Sequence, residues 1–182
     1  MKIYLEVPAS VSLSQALRRL NAPSAIEIPP FHRGSRLVMI GQDLRMDGRE
    51  FYFRLPALDR MEALAVRSSL ESNQETAPLI AVLVSLLSMP VETALQWLNL
   101  GYSVGFSAEG ARRISLFFNA AAVDGVRLRA LLRKPASLYA EFIPADGGNV
   151  PHGMVALIGR QGEVETRVGI SALALANQGK AS

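Results

Sequence analysis

Cysteine is absent from this 182-residue chain. That excludes disulfides, thiolate zinc sites, iron–sulfur clusters and cysteine nucleophiles together. Histidine is nearly absent as well. His32 in "PPFHRG" and His152 in "NVPHGM" lie in Pro/Gly-rich loops, neither at helical or hairpin spacing from a second ligand, so no metal centre is expected. The chain also lacks a G-x-S-x-G elbow, an S-x-x-K at a helix start, a G-x-x-x-x-G-K loop and a strand-to-helix G-x-G-x-x-G. Neither catalytic residues nor a cofactor site is expected, and the chain is not read as an enzyme.

Charge is in short supply. Only 19% of residues are charged while 49% are hydrophobic, against about 25% charged in an average domain. A chain with more apolar material than its own surface should tolerate is expected to bury some of it in an interface. Among the 19 basic residues only Lys2, Lys134 and Lys180 are lysines. The net charge of +3 is modest, and the acidic pairs Asp43/Asp47, Asp59/Glu62 and Glu163/Glu165 are expected to be solvated.

Long apolar runs are missing too. From Leu79 to Val91 no charge occurs, but Ser85, Ser88 and Pro90 interrupt the run and Glu92 closes it. A membrane span needs about 20 apolar residues, so a buried helix or helical interface is expected and no membrane partner. The opening "MKIYLEVPAS" places Glu6 and Pro8 where an export signal needs an apolar core, which makes the cytoplasm the expected location.

The hydrophobic pattern gives the elements. "KIYLEV" alternates as a half-buried strand with Ile3, Leu5 and Val7 inward. "SLSQALRRL" spaces Leu13, Ala16, Leu17 and Leu20 for a helix, with Ser12 and Gln15 as a capping box. "AIEI" and "RLVMI" read as strands. Asp47-Gly48 marks a hairpin, followed by alternating Phe51, Phe53 and Leu55. In "ALDRMEALAVRSSL" one helical face would carry Leu58, Met61, Leu64 and Ala65. Leu79, Val82, Leu83 and Leu86, backed by Ile80, Val84 and Leu87, predict a helix apolar nearly all round. A second helix would carry Val91, Ala94, Leu95 and Leu98. Tyr102 to Gly110 reads as a glycine-loosened connection, Ile114, Phe117, Phe118 and Ala121 as helical spacing, and "VRLRALL" fits helix or strand. "SLYAEFI", "GMVALIG" and "EVETRVGI" read as strands, and "SALALANQGKAS" as a short helix and tail.

Two features suggest partners. Arg112, Arg113, Arg127, Arg129, Arg133 and Lys134 face only Asp124 in the same segment, a local basic excess that could neutralise phosphates. Overlapping it, "LNLGYSVGFSAEGARRI" resembles the second helix-turn-helix of the AraC-type transcription regulators through Leu100, Gly101, Tyr102, Ser103, Phe106, Ser107, Arg112 and Arg113. It departs from that pattern where Phe106 falls one residue early and Gly105 and Gly110 occupy the start of the recognition helix. The resemblance implies a DNA-reading helix.

Together these readings predict an α+β protein: an N-terminal strand–helix–β-hairpin part (1–75), a central buried αα-hairpin within a helical middle (76–122), and C-terminal antiparallel strands (123–182), as three parts or one compact domain. The expected function is a non-catalytic protein–protein interaction or assembly module of adaptor or chaperone type. It would self-associate as a homo-oligomer, or bind a protein partner, through Leu79, Val82, Leu86, Trp97, Tyr102 and Phe106. The alternative is a nucleic-acid-binding protein using the basic cluster.

Overall fold

The computed structural model describes residues 2–19, 35–44, 48–87, 89–97, 100–107, 112–120, 123–131, 153–160 and 163–170. Seven strands and five helices are found among them: β1 (Lys2–Glu6), α1 (Leu13–Arg19), β2 (Arg36–Asp43), β3 (Gly48–Arg54), α2 (Arg60–Ser72), α3 (Ala77–Leu86), α4 (Val91–Trp97), β4 (Gly101–Phe106), β5 (Arg112–Asn119), α5 (Gly125–Leu131), β6 (Gly153–Arg160) and β7 (Glu163–Ile170). The chain is thus α+β. All seven strands pair antiparallel in chain order, so strands from each of the three sequence segments enter one sheet whose edges, among the described residues, are β1 and β7. The segments "AIEI", "SLYAEFI" and "SALALANQGKAS" lie outside the described residues.

Strand alternation divides the sheet into two faces. One face carries Leu37, Ile40, Phe51, Phe53, Tyr102, Val104, Ile114, Leu116, Phe118, Val155 and Leu157, all buried in one hydrophobic cluster with residues of the helices. Register partners stack across it: Phe53 and Tyr102 lie face to face with centroids 4.8 Å apart. α3 lies over β6 and β7, and Leu79 reaches to 3.8 Å from where a Cβ on Gly159 would stand. α2 packs against both α3 and α4. Arg67 of α2 joins the last contact by donating to Glu92 of α4 at 2.8 Å. The Glu92 carboxylate is held below its ordinary range, first by a backbone hydrogen bond within Glu92 itself and then by Arg67.

Local signals set several boundaries. The Ser12/Gln15 box is formed, with Ser12 N–H donating to Gln15 Oε1 at 2.8 Å and Gln15 N–H to Ser12 Oγ at 3.3 Å. A second box starts α2, where Asp59 and Glu62 exchange the same pair of bonds at 2.8 and 2.9 Å. β2 and β3 do pair as a hairpin, but Gly48, expected in its two-residue turn, is instead the first residue of β3 and stands opposite Asp43, and Asp47 lies outside the described residues. Phe51, Phe53 and Leu55 all point inward from it.

Four local expectations are corrected. "RISLFF" is not helical: Arg112–Asn119 is a strand hydrogen-bonded on both sides, to β4 and to β6. Two ladders and burial of alternate Ile114, Leu116 and Phe118 outweigh the helical spacing. The connection Tyr102–Gly110 is strand β4 as far as Phe106. With Gly101–Phe106 and Arg112–Asn119 paired antiparallel, the helix-turn-helix likeness has no counterpart in the backbone. On α2 the buried face is Ala63 and Leu70 with Val66 beside them, while Met61 and Leu64 are exposed. Last, Ile3 and Leu5 of β1 are exposed, at 44% and 57%, because they lie at the rim of the sheet. "VRLRALL", open between helix and strand, is α5, started by Asp124 Oδ1 accepting from the N–H of Val126 at 2.9 Å and of Arg127 at 3.1 Å.

Candidate functional site

The opposite face of the sheet is built differently. The alternation in "GYSVGF" sends large Tyr102, Val104 and Phe106 to the core and small Gly101, Ser103 and Gly105 to the other side. β4 therefore forms the floor of a furrow, and the flanking strands bridge it. Register places Tyr4, Gly41, Glu50, Gly105 and Arg113 in one row across five strands. Within that row Glu50 and Arg113 meet over β4: Nη2 of Arg113 donates to Glu50 Oε2 at 3.4 Å. The missing side chain at Gly105 leaves them the space, since a Cβ there would stand 3.7 Å from both the guanidinium and Glu50 Cγ.

Glu50 is only 7% exposed, which for a carboxylate demands charged or hydrogen-bonded partners. Ser103 supplies one, its Oγ donating to Glu50 Oε1 at 2.6 Å. Beside this pair runs an aromatic row, with ring centroids 5.9 Å apart for Tyr4 and Tyr52 and 5.6 Å apart for Tyr52 and Phe117. Burial, then the negative charge of Glu50, push the Tyr52 hydroxyl well above its ordinary range. Tyr4 reaches Tyr52 over Gly41, where an added Cβ would come within 3.2 Å of the Tyr4 ring and 3.3 Å of the Tyr52 ring. The row ends at β1, where Ile3, Tyr4 and Leu5 are 44, 49 and 57% exposed.

This arrangement offers a fixed carboxylate, small residues and rings. No group of three or more metal-ligating side chains occurs among the described residues. No helix there is long and apolar enough to cross a membrane.

The residues singled out in the sequence are distributed as follows. Leu79, Leu86 and Tyr102 are fully buried in the chain's own core, and Val82 and Phe106 pack against it. Trp97 ends α4; its side chain lies outside the described set. Tyr102 donates to or accepts from Ser35 Oγ at 2.9 Å, and burial pushes its hydroxyl up to about 12.

The four described basic residues have the following partners and places. Arg112 and Arg113 are neighbours on a strand and so point to opposite faces: Arg112 pairs with Glu75 at 3.3 Å, Arg113 with Glu50. Arg127 extends toward the end of α3, donating to the carbonyl oxygen of Leu87 at 2.9 Å. Arg129 lies on α5 with its Nε buried. Arg133 and Lys134 fall outside the described residues.

Sequence reasoning missed Glu50, Ser103 and the β1 edge. The signal for the first two was the small–large alternation of "GYSVGF", which reads as a strand once its glycines are taken as one face. The fold and site together define an α+β protein with an antiparallel meander, helices on one face and, among the described residues, an exposed apolar edge at β1. No known protein family, no curated protein and no solved structure matches the chain.

Proposed function

We infer that the chain is a non-catalytic protein–protein interaction module that assembles through the open edge at β1. The observation that carries this reading is the exposure of Ile3, Tyr4 and Leu5 in succession on an edge strand. Natural sheets blunt such edges with charge, proline, bulges or covering segments because the free N–H and C=O groups template further pairing. A strand with apolar side chains on both faces is instead suited to accept a partner strand. The central helices, whose lack of charge first suggested an interface, spend their apolar surface on the sheet within the chain: Leu79, Ile80, Leu83 and Leu86 are all buried.

The nucleic-acid reading has weaker support, because Arg112, Arg113 and Arg127 each have an acidic neighbour. The interaction reading is tested by Tyr4→Pro. The Val7 N–H donates to Val38 of β2 at 2.9 Å, so by alternation the Tyr4 N–H points away from β2. Proline there removes a backbone donor from the outward side and none from the ladder with β2, and Tyr4→Ala, which takes away the ring against Tyr52 but keeps the donor, is its control. Association measured by light scattering, with itself or with a partner, is expected to be lost in Tyr4→Pro while thermal unfolding stays cooperative. Association unchanged by Tyr4→Pro would contradict the reading.

A further inference from the structure

We propose that the partner strand is β1 of a second copy, paired antiparallel about a two-fold axis through Tyr4; this rests on the interaction reading and names its occupant. The sequence of β1, Lys-Ile-Tyr-Leu-Glu, is complementary to itself when reversed. Centred on Tyr4, Lys2 stands opposite Glu6 of the second copy, Ile3 opposite its Leu5, and Tyr4 opposite its Tyr4. Opposite charges and apolar pairs in register are what stabilises adjacent strands, and like charges directly opposite oppose pairing.

Backbone direction selects the same register. In β1 the odd-numbered residues turn their N–H and C=O groups toward β2, as Val7 does toward Val38. Lys2, Tyr4 and Glu6 then turn theirs to the free edge. In a pair centred on Tyr4, the outward groups of Lys2, Tyr4 and Glu6 meet those of Glu6, Tyr4 and Lys2 of the second copy. Registers centred on Ile3 or Leu5 overlap only part of the strand and leave both Lys2 and Glu6 of each β1 without an opposite charge. Odd offsets would bring inward groups against outward ones.

Side chains agree as well. Ile3 and Leu5 share the helix-covered face with Ile40 and Phe51, so pairing extends the apolar layer from one copy into the other. On the opposite face Tyr4 already packs edge-on against Tyr52, and a second Tyr4 continues the aromatic row across the axis. The interface is isologous and closes at two copies, joining two seven-stranded sheets into one.

The test uses complementary charge variants of the full chain. Lys2→Glu alone sets Glu against Glu at both symmetric positions, and Glu6→Lys alone sets Lys against Lys; each is expected to weaken self-association about tenfold or more. Mixed in equal amounts, they place Glu opposite Lys at both positions, and a heterodimer of near wild-type affinity is expected. Because Lys2 also stands beside Asp43 of β2, a second set guards against misfolding: Ile3→Lys mixed with Leu5→Glu, both at exposed positions, should likewise form a heterodimer in preference to either homodimer. Single variants that associate as tightly as wild type, or mixtures no tighter than their components, overturn the pairing. A monomeric wild type whose binding to another protein is blocked by the same variants overturns self-pairing but leaves the interaction reading standing. A monomeric wild type with no edge-dependent partner overturns both.

Discussion

Ser103 and Glu50 are 53 residues apart in the chain and neighbours across one strand spacing, with Ser103 Oγ donating to the Glu50 carboxylate at 2.6 Å. A hydrogen bond from a buried hydroxyl to a charged acceptor contributes about 1.5–3 kcal/mol. Ser103→Ala is therefore expected to lower stability by about 1–2 kcal/mol, or a Tm decrease of about 2–8 °C for a chain of this size. In a double-mutant cycle with Glu50→Gln, measured by denaturant unfolding, the two changes should be strongly non-additive. Additive effects would mean the contact contributes nothing.

Gly105 lets Glu50 and Arg113 meet across β4 by its small size alone. With a Cβ at 3.7 Å from both partners, Gly105→Ala fits and should change stability by less than about 1 kcal/mol. Gly105→Leu drives a branched side chain between carboxylate and guanidinium and should cost about 2–3 kcal/mol, as overpacking commonly does. Equal effects of the two substitutions, read from urea midpoints, would contradict the furrow geometry.

Alkaline pH should unfold the protein through its buried tyrosines. Burial raises Tyr102 from 10.0 to about 12, so the folded chain keeps a proton that the unfolded chain releases. The stability this represents is whole below about pH 10 and is lost as pH rises from there toward 12. Tyr52, pushed up by burial and by Glu50, adds a loss of the same sign. Tm measured from pH 8 upward should fall beyond about pH 10, and fall less steeply in Tyr52→Phe.

The cap of α2 is independent of the sheet. Asp59→Ala removes the acceptor for the Glu62 N–H and is expected to cost about 1 kcal/mol, without changing association by light scattering. A loss of association in this variant would place the seam near α2 instead of β1.

Short-range chemistry made much of the fold legible. The Ser12/Gln15 box and the alternating Phe51, Phe53 and Leu55 are each decided within a few residues. β5 was not legible, because Ile114, Phe117 and Phe118 satisfy a helix while Ile114, Leu116 and Phe118 satisfy a strand. The choice is made by β4 and β6, one of them more than thirty residues downstream. The Glu50 site was hidden for the same reason, since its partners Ser103 and Arg113 arrive from two later strands. At β1 the alternating pattern of Ile3, Leu5 and Val7 named a strand but could not place it at the rim, where Ile3 and Leu5 are exposed.

The most direct measurement of edge assembly is backbone amide hydrogen exchange in β1 as protein concentration is raised. Protection of the Tyr4 and Glu6 amides, which point away from β2, should rise with concentration, while that of the inward Ile3, Leu5 and Val7 amides changes little. Tyr4 and Glu6 amides that exchange freely at every concentration, in a chain that is nonetheless oligomeric, would contradict assembly through this edge.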